Sequence, residues 1–338
     1  MTEAVKDIKI PIKLRFLTWW NGYDLDDVKA RLMTQQGNDV ENDPDGNNAA
    51  KDAEATETSE TTEVPSLTDD PDAALSWDTL RMEMTQLIWG EGYCGPGGKE
   101  HIETMSKLLT MNSEMSAIVI GAGLGGPSRV LAEEFGVWIA GFELSKDLAE
   151  RGMQMSTDAG LGSKAVIHHL DPAEEDPFER RYDRAFSKEA LYCFPDKAKI
   201  LKDTYDTLKD GALFLISDYT LADASALENP DVQKWLAQEA IRPYPVTADV
   251  LKTTLEETGF ILRVNEDISQ EYIGLIEASW SKAGTLSKQL AQKGDEGAKA
   301  IKTLMAEAEF WALRAKLLKE GHIRVWRFLA NKQPEQMR

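Results

Sequence analysis

At 338 residues with 42% hydrophobic content, the chain can build one large domain or two smaller ones around a real core. Its net charge of −20 argues against a nucleic-acid groove or an anionic membrane as the main partner, because both reward basic patches. Only Cys94 and Cys193 are present, without C-x-x-C spacing, and no apolar stretch reaches spanning length. A disulfide framework, a structural zinc site and a transmembrane segment are therefore excluded as expectations, and a soluble, cytoplasmic protein is expected.

Residues 1–35 interleave basic residues with Trp19, Trp20 and Tyr23 ahead of a helical stretch, Asp26–Met33. An extension docked on the parent domain or on a partner fits best, with membrane contact the less favoured alternative. Residues 36–72 lose apolar periodicity and set twelve carboxylates against Lys51 alone. Such a composition cannot offset chain entropy by burial, so a disordered acidic linker is expected.

The main domain is expected over 73–338. Ser76–Trp89 is apolar at helical spacing and leads into Gly90-Glu-Gly-Tyr-Cys-Gly-Pro-Gly-Gly98, a loop suited either to lie across a ligand or simply to connect. The apolar run Ala117–Ile120 then enters the glycine cluster Gly121-Ala-Gly-Leu-Gly-Gly126 and a helical pattern from Ser128. A strand, a glycine turn and a helix N-terminus make a nucleotide-type cradle. The spacing fits both the dinucleotide fingerprint and the turn of S-adenosylmethionine (SAM) enzymes, and a tight turn without ligand stays open.

Further strands are expected at 137–143, 165–171, 182–187 and 212–217, with helices at 146–159 and 196–210, the last ended by Gly211. This alternation predicts a doubly wound parallel sheet of the α/β class. Helical stretches at 224–241, 247–258, 270–292 and 298–320 flank a strand at 260–264, and 322–330 closes as a strand.

Glu143 ends the second strand 22 residues after Gly121, where a carboxylate can accept from ribose hydroxyls, and Asp171 ends the third, where it can meet an adenine amine. Lys188, Glu189, Cys193 and Tyr219 follow the fourth and fifth strands and are expected near the reacting end of a cofactor. Glu189 suits a cationic nitrogen or a proton, Tyr219 an aromatic wall. Cys193 is either a nucleophile or an ordinary buried thiol. The four histidines, His101, His168, His169 and His322, show no metal-ligand spacing, and no metal is expected.

With these residues in place, Trp77 to Lys332 resembles the class I SAM-dependent methyltransferases, and among them most the phosphoethanolamine N-methyltransferases. The resemblance rests on Trp89–Gly98, the glycine turn, Ile216-Ser-Asp-Tyr219, Arg242-Pro-Tyr244 and Trp311–Lys332. It implies a Rossmann-like, seven-stranded, mostly parallel sheet with an antiparallel last strand. A helical cap over about 220–245 and 268–320 and an N-terminal helical extension complete the implied fold. It further implies SAM as cofactor, with Tyr93, Cys94 and Gly95 at the methionine end, Gly121 and Gly123 against it, Glu143 on the ribose and Asp171 on the adenine edge. Glu189 would hold the substrate amine, while Tyr219, Arg242, Tyr244 and Lys316 would grip its phosphate.

Three departures bear on the substrate. Val119 stands where the family carries an acidic residue, and Trp77 and Cys193 occupy the family's two proton-handling positions. Trp77 instead suits an aromatic face beside a methylated cation. The expected function is methylation of a small anionic or zwitterionic metabolite, at nitrogen ahead of sulfur or oxygen. The alternatives are a phospholipid headgroup as acceptor, a nicotinamide or flavin oxidoreductase, and a SAM-binding protein without catalysis.

Overall fold

Ala117, Ile118, Val119 and Ile120 are completely buried, as expected of a strand covered on both faces. The computed structural model describes residues 75–334 apart from 175, 176 and 179, so the 1–35 extension and the 36–72 linker lie outside the described residues. In chain order, α1 (Thr79–Trp89) and α2 (Gly98–Ser106) precede β1 (Ser116–Ile120), α3 (Gly126–Glu134), β2 (Trp138–Glu143), α4 (Lys146–Asp158), β3 (Ala165–His169) and β4 (Tyr182–Lys188). Then come α5 (Lys197–Thr207), β5 (Leu208–Leu221), α6 (Pro230–Gln238), α7 (Ala248–Thr258) and β6 (Phe260–Asp267). Helices α8 (Ser269–Trp280), α9 (Ala283–Ala291) and α10 (Gly294–Glu320) lead to β7 (Ile323–Lys332).

The strands form one sheet in the order β3-β2-β1-β4-β5-β7-β6. β7 runs antiparallel to both of its neighbours, and the other pairings are parallel. This is the expected seven-stranded sheet with an antiparallel last strand. Placing β7 between β5 and β6 also departs from the 3-2-1-4-5-6 order of dinucleotide-binding sheets, which counts against the oxidoreductase alternative. Ile118, Ile120, Phe214, Ile216 and Phe328 share one core cluster, and burial of each contributes about 1.5–3 kcal/mol.

Local chemistry sets the helix ends. Ser145, Asp196 and Thr247 accept hydrogen bonds from the N–H groups of Leu148, Lys199 and Val250 at the starts of α4, α5 and α7. Gly259 and Gly321, both left-handed, close α7 and α10.

Four expectations on boundaries are corrected. Helix α5 stops at Thr207 instead of Asp210, because fully buried Leu208 already pairs with Tyr182 in the sheet. The residues up to Gly211, at φ +79°, lie in an irregularity inside β5. The same strand continues to Leu221, so Tyr219 sits within it, opposite Val325, and not in a loop beyond it. The 224–241 helix is a 3₁₀ turn at Ala224–Glu228 followed by α6, since Asn229 caps a new helix that Pro230 begins. The 270–292 helix is broken at Ser281 and Lys282 into α8 and α9.

Candidate active site

The glycine turn closes over the carboxyl end of β1. Gly121, Gly123 and Gly125 have φ of +77°, +54° and +78°, a region that side chains rarely adopt. A Cβ on Gly121 would stand 2.1 Å from the Ala190 Cβ, so the turn also has no room there. The preceding loop is pinned to this turn, because Gly126 donates its N–H to the Gly92 carbonyl at 3.0 Å. Cys94 consequently faces Gly123, its Sγ 3.9 Å from where a Cβ of Gly123 would be.

Glu143 ends β2 beside the turn and is buried. Its two oxygens accept from the N–H of Gly123 at 2.8 Å and of Ser145 at 2.9 Å. Burial pushes its carboxyl up, and the N–H groups of Ser145, Gly123 and Leu144 oppose that shift. A carboxylate has about four lone-pair sites, so acceptor capacity remains for a ligand hydroxyl.

The other half of the site is built from side chains. Glu189, just after β4, takes a positive φ of 54° while its N–H donates to the Ser217 carbonyl at 2.8 Å. Its carboxylate pairs with Lys188 and leans toward Gly95, where a Cβ would lie 2.9 Å from Oε2. Arg314 of α10 pairs with Glu239, just beyond α6, both side chains being almost fully buried. Trp235 Nε1 and the Tyr192 hydroxyl also donate to Glu239, at 2.7 and 3.2 Å. Rings of Trp311, Phe310 and Tyr219 lie 4.4, 4.6 and 4.8 Å from the Arg314 guanidinium. Arg81 of α1 pairs with buried Glu307 of α10, donates to the Leu75 carbonyl at 2.9 Å and covers the Trp77 ring at 3.9 Å.

One cavity, partly open to solvent, joins these two halves. It is lined by Trp77, Tyr93, Cys94, Gly95, Gly121, Gly123, Glu143, Lys188, Glu189 and Cys193, ten of the residues expected from the sequence. Both thiols stay protonated near neutrality. Burial pushes Cys94 up to about 12, and burial with Glu239 and Asp218 nearby pushes Cys193 well up. Among the described residues, no group of three or more His, Cys, Asp or Glu is placed to hold a metal ion.

Five expected residues lie outside the wall. Tyr219 is fully buried behind it, against Arg314 and with its ring 5.6 Å from that of Tyr192. Asp171 is exposed and accepts from the Ala173 N–H at 2.9 Å. Arg242 and Tyr244 are exposed and associate with each other, the guanidinium 5.4 Å from the ring centre. Lys316 is exposed and pairs with Asp231 at 2.6 Å and Glu320 at 3.8 Å. The faces of Trp77 and Tyr219, expected to receive a ligand cation, already meet Arg81 and Arg314.

Sequence reasoning missed Arg81, Glu239 and Arg314, all of which line the cavity. A signal existed for one of them: Arg314 and Glu307 share the buried face of α10 with Leu304, Ala308 and Trp311. Charges at core-facing helical positions need partners, and here Glu239 pairs with Arg314 and Arg81 with Glu307.

The chain is similar to several known proteins. Residues 100–263 match the model of a methyltransferase domain. Phosphoethanolamine N-methyltransferase 1 of Zea mays is 22% identical over 199 residues, 58% of this chain and 38% of that protein. The sarcosine/dimethylglycine N-methyltransferase of Halorhodospira halochloris is 31% identical over 125 residues, 36% of this chain and 44% of that protein. The solved phosphoethanolamine N-methyltransferase 2 of Haemonchus contortus, in complex with phosphomonomethylethanolamine and S-adenosylhomocysteine, superposes with a TM-score of 0.64 at 19% identity. That match covers 75% of this chain and 57% of the nematode protein. The chain thus spans about two fifths of the length of the maize relative. Residues 100–263 thus resemble a methyltransferase domain, and the fold is the one seen in the solved methyltransferase.

Proposed function

We propose that this protein transfers a methyl group from SAM to the nitrogen of a small amine metabolite that also carries an acid group. The observation that carries this is the single cavity running from the glycine turn and Glu143 to Glu189. The residues present fit the cofactor. Gly123 offers a face without a side chain, and Glu143 is a buried carboxylate with acceptor capacity to spare for a ribose hydroxyl. Tyr93, Cys94 and Gly95 form the wall at the methionine end.

SAM supplies the methyl on a sulfonium. The protein's part in an in-line transfer is alignment and exclusion of water. Glu189 holds the amine and takes up the proton lost on methylation, with Lys188 paired to it to keep the free site neutral. Tyr219 acts indirectly, by fixing Arg314. The relatives methylate phosphoethanolamine or sarcosine and dimethylglycine by name, which supports nitrogen as acceptor.

A second reading has one observation in its favour. Cys193, at a position where the resembling family handles protons, stays a neutral thiol. An acceptor that needs no deprotonation, such as a tertiary amine or a thioether, suits that wall. Incubating the protein with methyl-labelled SAM and a panel of secondary amines, tertiary amines and thioethers separates the two. Label on amines supports the proposal, label only on thioethers supports the second reading, and the absence of SAM binding by calorimetry overturns both.

A further inference from the structure

We infer that the acid group of the substrate is a carboxylate, that Arg314 binds it, and that the acceptor is therefore an amino-acid-like zwitterion and not a phosphate ester. The assignment rests on the methyl-transfer function proposed above.

The argument begins with charge. The cavity wall contains three cations, Arg81, Lys188 and Arg314, and three carboxylates, Glu143, Glu189 and Glu239. Every one of these cations already faces a carboxylate: Arg81 faces Glu307, Lys188 faces Glu189 and Arg314 faces Glu239. A phosphate ester carries about −1.5 to −2 charges at neutral pH and draws on several charge-assisted donors at once. Nothing on this wall offers an unpaired cation for it. Arg242, Tyr244 and Lys316, the residues expected to grip phosphate, stand outside the wall, and Lys316 is itself paired with Asp231 and Glu320.

A monoanion fits where a dianion does not. Arg81 spends its donors on Glu307 and on the Leu75 carbonyl, whereas Arg314 is less satisfied. A guanidinium has five N–H donors. The hydrogen bond from Arg314 Nη2 to Glu239 uses one of them, and Nε is buried with no acceptor. A cation with a 4% exposed side chain and unmet donors, on the wall of a ligand cavity, calls for an acceptor from the ligand. The surrounding rings of Trp311, Phe310, Tyr219 and Trp235 keep the guanidinium from swinging away. A planar fork fixed in this way suits a carboxylate. Glu189 lines the same cavity as Arg314, so ammonium and carboxylate ends of one small molecule have partners of opposite sign.

The test uses the full chain. Initial rates of methyl transfer are measured with N-methylglycine and N,N-dimethylglycine, with phosphoethanolamine, and with N-methylethanolamine, an amine that has no acid group. Wild type should prefer the carboxylates over phosphoethanolamine by about 100-fold in kcat/KM. Arg314→Gln should raise KM for the carboxylates by about 100-fold and raise it at least about tenfold less for N-methylethanolamine. Since Arg314→Gln strands Glu239, the double variant Arg314→Gln with Glu239→Gln is measured in parallel, and SAM affinity by calorimetry reports whether each variant keeps its fold. Calorimetric binding of dimethylglycine and of phosphoethanolamine to the wild-type S-adenosylhomocysteine complex needs no variant at all. Preference for phosphoethanolamine, or an equal loss on acid-free and carboxylate amines, overturns the assignment and leaves methyl transfer standing. Failure to methylate any amine overturns the methyl-transfer function, and this assignment with it.

Discussion

The two halves of the cavity are made in different ways. The cofactor half is a backbone structure, in which three left-handed glycines, the end of β2 and two N–H groups on Glu143 lie within about one βαβ unit. The acceptor half is assembled from side chains far apart in the chain. Its ion pairs join Arg81 to Glu307, 226 residues away, and Arg314 to Glu239, 75 residues away. Local chemistry specifies the first half. Only the finished tertiary structure specifies the second, which leaves it freer to change with the substrate.

Substitutions can break this contrast. The largest effect is expected on the acceptor side: Glu307→Ala strands the buried Arg81 guanidinium and should cost about 3–5 kcal/mol in denaturant unfolding. Gly121→Ala attacks the other half. A Cβ 2.1 Å from that of Ala190, at φ +77°, should cost about 2–4 kcal/mol, and calorimetry should find SAM affinity lost as well. If Glu307→Ala abolishes SAM binding as completely as Gly121→Ala does, the halves are not separable.

An intermediate effect depends on pH. His101 of α2 is held down at about 3, by burial first and then by the positive charges of Lys188 and Arg327. Its contribution to stability is therefore complete above the unfolded value of about 6.5 and is lost as pH falls from there toward 3. Between pH 7.5 and 4.5 the wild type should lose about 2 kcal/mol more than His101→Gln, as read by urea unfolding at each pH. Equal slopes for the two proteins would show that His101 is not buried in neutral form.

The smallest effect is the most selective. Lys316→Ala removes an exposed ion pair and should change stability by less than about 1 kcal/mol. It should also leave the KM of every amine substrate unchanged. A large rise in KM for a phosphorylated amine alone would bring Lys316 back to the site.

The legibility of the sequence follows the same division. Apolar runs and the glycine cluster marked β1 and its turn, because burial on both faces and positive φ leave direct traces in residue type. Glu143 was found because its distance from Gly121 is fixed by one strand–helix–strand unit. Arg81, Glu239 and Arg314 were not found. A charged residue inside a helical pattern resembles any surface charge until its partner is known, and those partners lie far off in the chain. The apolar run of β5 ends at Ser217 in the sequence, ahead of Tyr219, whereas β7 extends the pairing of β5 out to Leu221.

The position of β7 carries a consequence for how the molecule is made. It is the last strand in chain order, yet it lies inside the sheet, pairing β5 on one side and β6 on the other. During synthesis β6 has no neighbour to join until β7 emerges, and α10, which supplies Arg314, is released only just before it. The glycine turn can form early from local contacts, but the substrate wall waits for pairings of long sequence separation, which are slow to form. A nascent chain should therefore gain the ability to hold its cofactor well before it can select what to methylate.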